Sequence, residues 1–323
     1  MTTADGRTPR RIVSLLPSST EILFALGLGD RVVAVSHECD WPAAARGLPV
    51  LTGKKIDTDL PSREIDLAIT DLTARRESVY RVSAEALVSL RPDLIVTQDV
   101  CDVCAVSTVD VRAVLEDARR TVPDFDPEIL SLAPSSIPGI LQDIRHLGKV
   151  AGVEEKADAL VRDLEERIRT ITEAVEVVAF RPRVTAIDWL DPLILGGDWI
   201  PEMIRMAGGR PQPLPQGKTA RVLWEDVAAF EPEVIVVMPC GFDLERTVSE
   251  SAILSRLPGF GDLPAARHGR VYATDGNALF NRPSQRIVDS LEALAEMLHP
   301  NLFRGTVPSP EKVYRRLATP HSY

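Results

Sequence analysis

Two blocks of short β-branched runs, each run followed by an amphipathic stretch, are separated in this chain by a middle that contains no strand pattern. Such alternation marks α/β units built on a mostly parallel sheet. Its interruption points to two such sheets. In the first block the runs are RIVSLL (11–16), RVVAVS (31–36), DLIVTQ (93–98) and EILSL (128–132). SSTEILFALG follows the first run and predicts a helix, with Ser18 or Ser19 as N-cap, Glu21 early and Gly27 near the C-cap. Residues 61–90 predict helix in two pieces. In the second block the runs are RVTAID (183–188), EVIVVM (233–238) and GRVYAT (269–274). Helices are expected there over 199–209, 243–256 and 284–299. Proline-rich GGRPQPLPQGK (208–218) reads as a loop.

The middle is helical by its spacing. Ile137, Ile140, Leu141, Ile144 and Leu147 recur at three and four residues. After Gly152 the pattern resumes with Leu160, Val161, Leu164, Ile168, Ile171 and Val175. A helix over 154–177 would be ~35 Å long at about 1.5 Å per residue, enough to run across two lobes. The expected organisation is an N-terminal α/β lobe over 10–133, a helical connector over 134–179, a C-terminal α/β lobe over 180–299 and a patternless tail over 300–323.

A length of 323 residues accommodates about two domains. The net charge of −10 argues against general nucleic-acid binding and against docking on an anionic membrane. No stretch approaches the ~20 apolar residues of a membrane span. The first ten residues are polar, and the apolar segment after them is broken by Pro17 and the Ser18-Ser19-Thr20 cluster. That is a poor secretory signal, so a cytoplasmic location is expected, with thiols in place of disulfides.

Ligands of open α/β sheets bind beyond the carboxyl ends of the strands. The segments after the runs are therefore the candidate ligand residues. They supply Ser18 and Ser19, then His37, Glu38 and Trp41 of HECDWP, then Asp99. The second block supplies Asp188, Trp189, Trp199 and Phe242, and DGNALFNRP adds Asn277, Phe280, Asn281 and Arg282. Flat side chains among a few polar groups suit a large planar ligand. Tryptophans at strand–helix junctions also serve as packing anchors, and for Trp199 the two readings stand level.

All four cysteines, Cys39, Cys101, Cys104 and Cys240, follow strands. A small thiol can simply pack as a hydrophobe. A redox dithiol at Cys101-x-x-Cys104 is opposed by Asp99 and Asp102, whose charges disfavour a thiolate. Convergence of the four thiols would hold Zn²⁺ or an iron–sulfur cluster. The flanking His37, Glu38, Asp40, Asp99 and Asp102 are a poor setting for an inert thiol.

RIVSLLPSSTEILFALGLGDRVVAVSHECDWP, LRPDLIVTQ, the long mid-chain helix and NRPSQRIVDSLEAL together resemble the cobalamin/iron-siderophore class of ABC-transporter substrate-binding proteins, and within it the cobalamin-binding branch. The resemblance covers residues ~10–299. It implies two Rossmann-like lobes joined by one long helix, with a cobalamin-type corrinoid held between them. It also implies a permease partner, which the absence of a visible leader puts in question. HECD, CDVCAVS and MPCGFD look like a leaderless, cysteine-containing subgroup. Three functions compete: a corrinoid-binding protein, a cysteine-ligated metal or iron–sulfur protein on the same scaffold, and an enzyme using the cleft. The last has no phosphate-cradling glycine loop, nucleophile elbow or HExxH motif behind it.

Overall fold

The computed structural model describes residues 8–75, 77–99 and 106–318. The chain forms two compact units. Unit 1 runs to Leu60 and resumes over Leu67–Asp163, and unit 2 takes Pro61–Asp66 and everything from Leu164 on.

Unit 1 contains β1 (Ile12–Ser14), α1 (Pro17–Ala25), β2 (Val32–Val35), β3 (Thr52–Lys54), α2 (Ser62–Ala74, its first turn in unit 2), β4 (Tyr80–Val82), α3 (Ala84–Leu90), β5 (Leu94–Gln98), α4 (Thr108–Thr121), β6 (Glu128–Leu132) and α5 (Ile137–Val150). Its main sheet has the order β2-β1-β5-β6, and all three pairings are parallel. β5 is buried at every position, as a central strand covered on both faces must be. On one face Val13, Leu15 and Ile95 pack with Leu87 of α3 and Val111 and Leu115 of α4. β3 and β4 form a separate antiparallel pair. Its strands are three residues each, too short for the sequence to show alternation.

Helix starts follow local chemistry. Ser83 caps α3, Ser136 caps α5, and Ser107 with Asp110 forms a capping box on α4. α1 differs from expectation: its N-cap is Leu16, without a side-chain bond, and Ser18 and Ser19 lie inside the first turn. Pro17 explains this, because a proline at the first helical position has its φ preset and no N–H to satisfy.

α6 (Glu154–Glu176) is continuous through the unit boundary, close to the range its periodicity predicts. Unit 2 continues with β7 (Arg183–Trp189), β8 (Ile194–Leu195), α7 (Trp199–Met206), β9 (Arg210–Pro211), β10 (Ala220–Arg221), α8 (Trp224–Phe230) and β11 (Val234–Val237). Next come α9 (Leu244–Glu250), α10 (Pro264–Arg267), β12 (Val271–Thr274), α11 (Ile287–Leu298), α12 (Pro300–Phe303) and β13 (Tyr314–Arg316). The sheet order is β10-β8-β7-β11-β12-β13, with β9 alongside β7. β7, β11 and β12 are parallel, whereas β8, β10 and β13 run antiparallel to their neighbours.

Three segments depart from the sequence reading. The helix expected over 243–256 is α-helical only to Glu250 and continues as 3₁₀ turns over Ser251–Arg256. Part of the proline-rich loop becomes β9, at the periphery where a missing N–H is tolerated. The segment after Pro300 is no tail: β13 pairs with β12, and Tyr314 meets Tyr272 edge-on at 5.8 Å. Glu296 holds the approach to it, its carboxylate accepting from the N–H groups of Gly305 and Val307. A three-residue YRR strand carries no periodicity to read.

Candidate functional site

In unit 1 the turn after β2 is tied to the β3–β4 pair. The His37 backbone N–H donates to Thr52 Oγ1 at 3.0 Å, and His37 Nδ1 shares a 2.6 Å hydrogen bond with the same hydroxyl. The imidazole packs on Tyr80 at 5.6 Å. Glu38 lies 2.7 Å from Lys54 Nζ and 3.2 Å from His37 Nε2. Burial pushes the Glu38 carboxyl up, but hydrogen bonds from His37 and Lys54, with the Lys54 charge, outweigh it and hold the group down at about 2. Glu38 is therefore a fixed anion at neutral pH. Thr52, Lys54 and Tyr80 complete this cluster, and no local sequence signal marks them.

Beside it, β1 and the start of α1 enclose a hydroxyl–thiol knot. Ser14 Oγ lies 2.6 Å from Ser19 Oγ and accepts from Thr20 Oγ1 at 2.7 Å, and Thr20 Oγ1 also lies 3.1 Å from Cys39 Sγ. Ser19 is buried with its hydroxyl on Ser14 and the Leu16 carbonyl. Ser18 is also buried, and its Oγ has no hydrogen-bond partner among the described residues. Trp41 is different: 47% of its surface is exposed at the end of the same turn. Asp99, just past β5, accepts from Thr108 N and Oγ1 and from Ser131 Oγ, so it holds the start of α4 against β6. Burial raises its pKa, but these hydrogen bonds together with the Arg112 charge prevail and lower it.

The corresponding edge of unit 2 gathers more of the expected residues. Trp189 and Phe242 stack at 5.1 Å with their planes tilted by 52°. The Arg246 guanidinium lies 3.7 Å above the Phe242 ring. Asn277 N–H donates to the Phe242 carbonyl, and Arg282 reaches Asn277 Oδ1 at 2.9 Å. Asn281 Nδ2 donates to Met238 O at 2.7 Å and to Gly276 O at 3.3 Å, bracing the β11 and β12 loops together. Trp199 is 9% exposed and Phe280 1%, and the Trp199 indole N–H donates to the Phe280 carbonyl. Arg246, in the first turn of α9, escaped the sequence reading.

Asp188 sits next to this platform at the end of β7. Its Oδ1 is shielded and has no hydrogen-bond partner among the described residues. Burial raises its carboxyl to about 7, Asn281 opposes the rise and Asp198 adds to it. A carboxyl raised in the fold stabilises it below the ordinary value of 3.8, and that contribution is lost as pH climbs through 7. Asp188→Asn cannot ionise. It is expected to melt higher than the parent at pH 8, by about 2–4 kcal/mol, and level with it at pH 4. Thermal melts across that range check this, and a difference independent of pH would contradict it.

Of the expected four-thiol metal site the described residues include only Cys39 and Cys240. Among the described residues no group of three or more His, Cys, Asp or Glu side chains is placed to hold a metal ion. Cys39 is 5% exposed, with Thr20 Oγ1 at 3.1 Å from its sulfur. Cys240 is half-buried, with its N–H on the Asp188 carbonyl at 3.3 Å. Cys101 and Cys104 lie outside the described residues.

Two α/β units with parallel central strands, each carrying polar and aromatic groups at the carboxyl edge of its sheet, define a class of solute-binding proteins. The chain belongs to the periplasmic binding protein family, whose model matches residues 12–278. It is 25% identical over 304 residues to an uncharacterized ABC transporter substrate-binding lipoprotein, YvrC, of Bacillus subtilis, spanning 92% of this chain and 82% of that one. It is 23% identical to a vitamin B12-binding protein of Vibrio parahaemolyticus, spanning 88% of each. Among solved structures it is similar to the periplasmic heme-binding protein RhuT of Roseiflexus, with a TM-score of 0.66, 24% identity, and 90% of this chain and 98% of that one covered.

Proposed function

We propose that this chain is the solute-binding component of an ABC-type transport system and that its solute is a cobalamin-type corrinoid. The observation that carries the reading is the unit 2 platform. It consists of half-buried Trp189 stacked on buried Phe242, whose ring the Arg246 guanidinium covers, flanked by Asp188 and the braced amide of Asn281. A corrin is a broad, flat ring edged with amide groups. Aromatic faces suit its plane, and acceptors and donors at their border suit its rim. The curated relative named as a vitamin B12-binding protein supports the same solute class.

Calorimetric titration of the purified protein with cyanocobalamin and with cobinamide tests this reading. Saturable one-to-one binding by at least one of them is expected, and Trp189→Ala is expected to weaken it about tenfold, since an aromatic contact is worth about 0.5–1.5 kcal/mol beyond area burial. No heat and no spectral change with either corrinoid, on folded protein, would overturn the proposal.

A further inference from the structure

The first turn of α2, Pro61–Asp66, stands in sequence between two stretches of unit 1 but belongs to unit 2. It lies against the aromatic platform. The Trp189 indole N–H donates to the Ser62 carbonyl at 3.1 Å. The Ser62 hydroxyl donates to Glu250 Oε2 at 3.4 Å, and Glu250 is 3.8 Å from Arg246, the residue that covers Phe242. Arg63 lies 3.8 Å from Asp191, and Asp66 accepts from Arg221 at 2.7 Å. The turn thus engages the polar edge of Trp189 and, through Glu250, the guanidinium over Phe242.

Helix geometry directs the N–H of the fourth residue on to the carbonyl of Ser62. The indole N–H therefore shares an acceptor that the helix already uses, and exchanging that partner for another oxygen costs the helix nothing. The charged anchors are also modest. Arg221 and Arg63 are well exposed, and ion pairs with a solvated partner contribute little. The turn is bound by several weak contacts at the place where Trp189 presents its indole N–H donor.

We propose that Pro61–Asp66 is a strap that competes with the solute for Trp189. The Ser62 carbonyl occupies the position of an oxygen acceptor on the rim of the solute, and binding exchanges one for the other. This rests on the corrinoid reading for the identity of the acceptor, a peripheral amide oxygen. It makes Trp189 a specificity-determining donor, selecting solutes that carry an oxygen at that point of their edge.

Amide hydrogen exchange and affinity, measured on the parent and on Arg221→Ala and Asp66→Asn, decide it. Without solute, exchange over residues 60–67 is expected to be at least fivefold faster in both variants, with unchanged thermal midpoints. Cyanocobalamin is expected to bind both variants three- to tenfold more tightly, and saturating cyanocobalamin should accelerate exchange over 60–67 in the parent. Equal or weaker binding in both variants, or protection of 60–67 by the solute, overturns the strap. If cyanocobalamin binds none of the three proteins, the corrinoid reading falls. The strap is then judged on exchange without solute, where rates equal to the parent's in both variants overturn it.

Discussion

Gly276→Ala is expected to destabilise unit 2 by about 3–5 kcal/mol and to abolish solute binding. A Cβ at Gly276 would stand 2.2 Å from the Pro239 carbonyl oxygen and 2.7 Å from the Met238 carbonyl. Both are backbone atoms of the loop after β11, so no side chain can swing aside. That loop carries Phe242, and Asn281 braces it by donating to both Met238 O and Gly276 O. Forcing the two loops apart breaks this brace and moves the platform. A thermal midpoint lower by roughly 10 °C should accompany the loss. Gly53→Ala, where a Cβ meets nothing within 4 Å, is the control and should stay within about 0.5 kcal/mol of the parent.

Phe242→Ala is expected to have the second largest effect. Phe242 is 2% exposed, stacks on Trp189 and lies under Arg246. Truncating a buried phenylalanine costs about 3–5 kcal/mol. It also removes the surface that positions both partners, and corrinoid affinity should fall by about a hundredfold or more. Phe242→Leu separates the two consequences. A branched aliphatic chain fills most of the volume, so stability should fall by less than that of the alanine variant. The ring face is gone, so affinity should still fall about tenfold. Denaturant unfolding and calorimetry on the two variants check the pair. Equal affinity for parent and Phe242→Leu would remove the ring from the binding account.

The fold was largely legible because its strands are buried on both faces and read as unbroken apolar runs. LIVTQ and VIVV are buried throughout, and the 23-residue α6 follows from a single periodic stripe. What escaped was short or set by long-range contacts. β3, β4 and β13 have three residues each, and β13 is specified by its pairing with β12 and not by its own YRR. The candidate site was legible only by position. Reading beyond strand ends found His37, Glu38, Asp188, Trp189 and Phe242. It could not tell that Trp199, Phe280 and Phe242 are all buried while Trp189 is half-buried. It also missed Lys54, which meets Glu38 from 16 positions away in the chain, and Ser62, which meets Trp189 from 127 positions away. Side-chain pairing across elements leaves no mark on either local segment. The same holds for Cys39, whose sulfur meets Thr20 of α1 and Ser14 of β1.

Equilibrium dialysis of the intact protein against equal concentrations of cyanocobalamin and hemin, read by visible absorption, tests the central claim most directly. The account predicts retention of about one cyanocobalamin per chain, unaffected by hemin and lost in Phe242→Ala. Retention of hemin with exclusion of cyanocobalamin, or of neither, would contradict it.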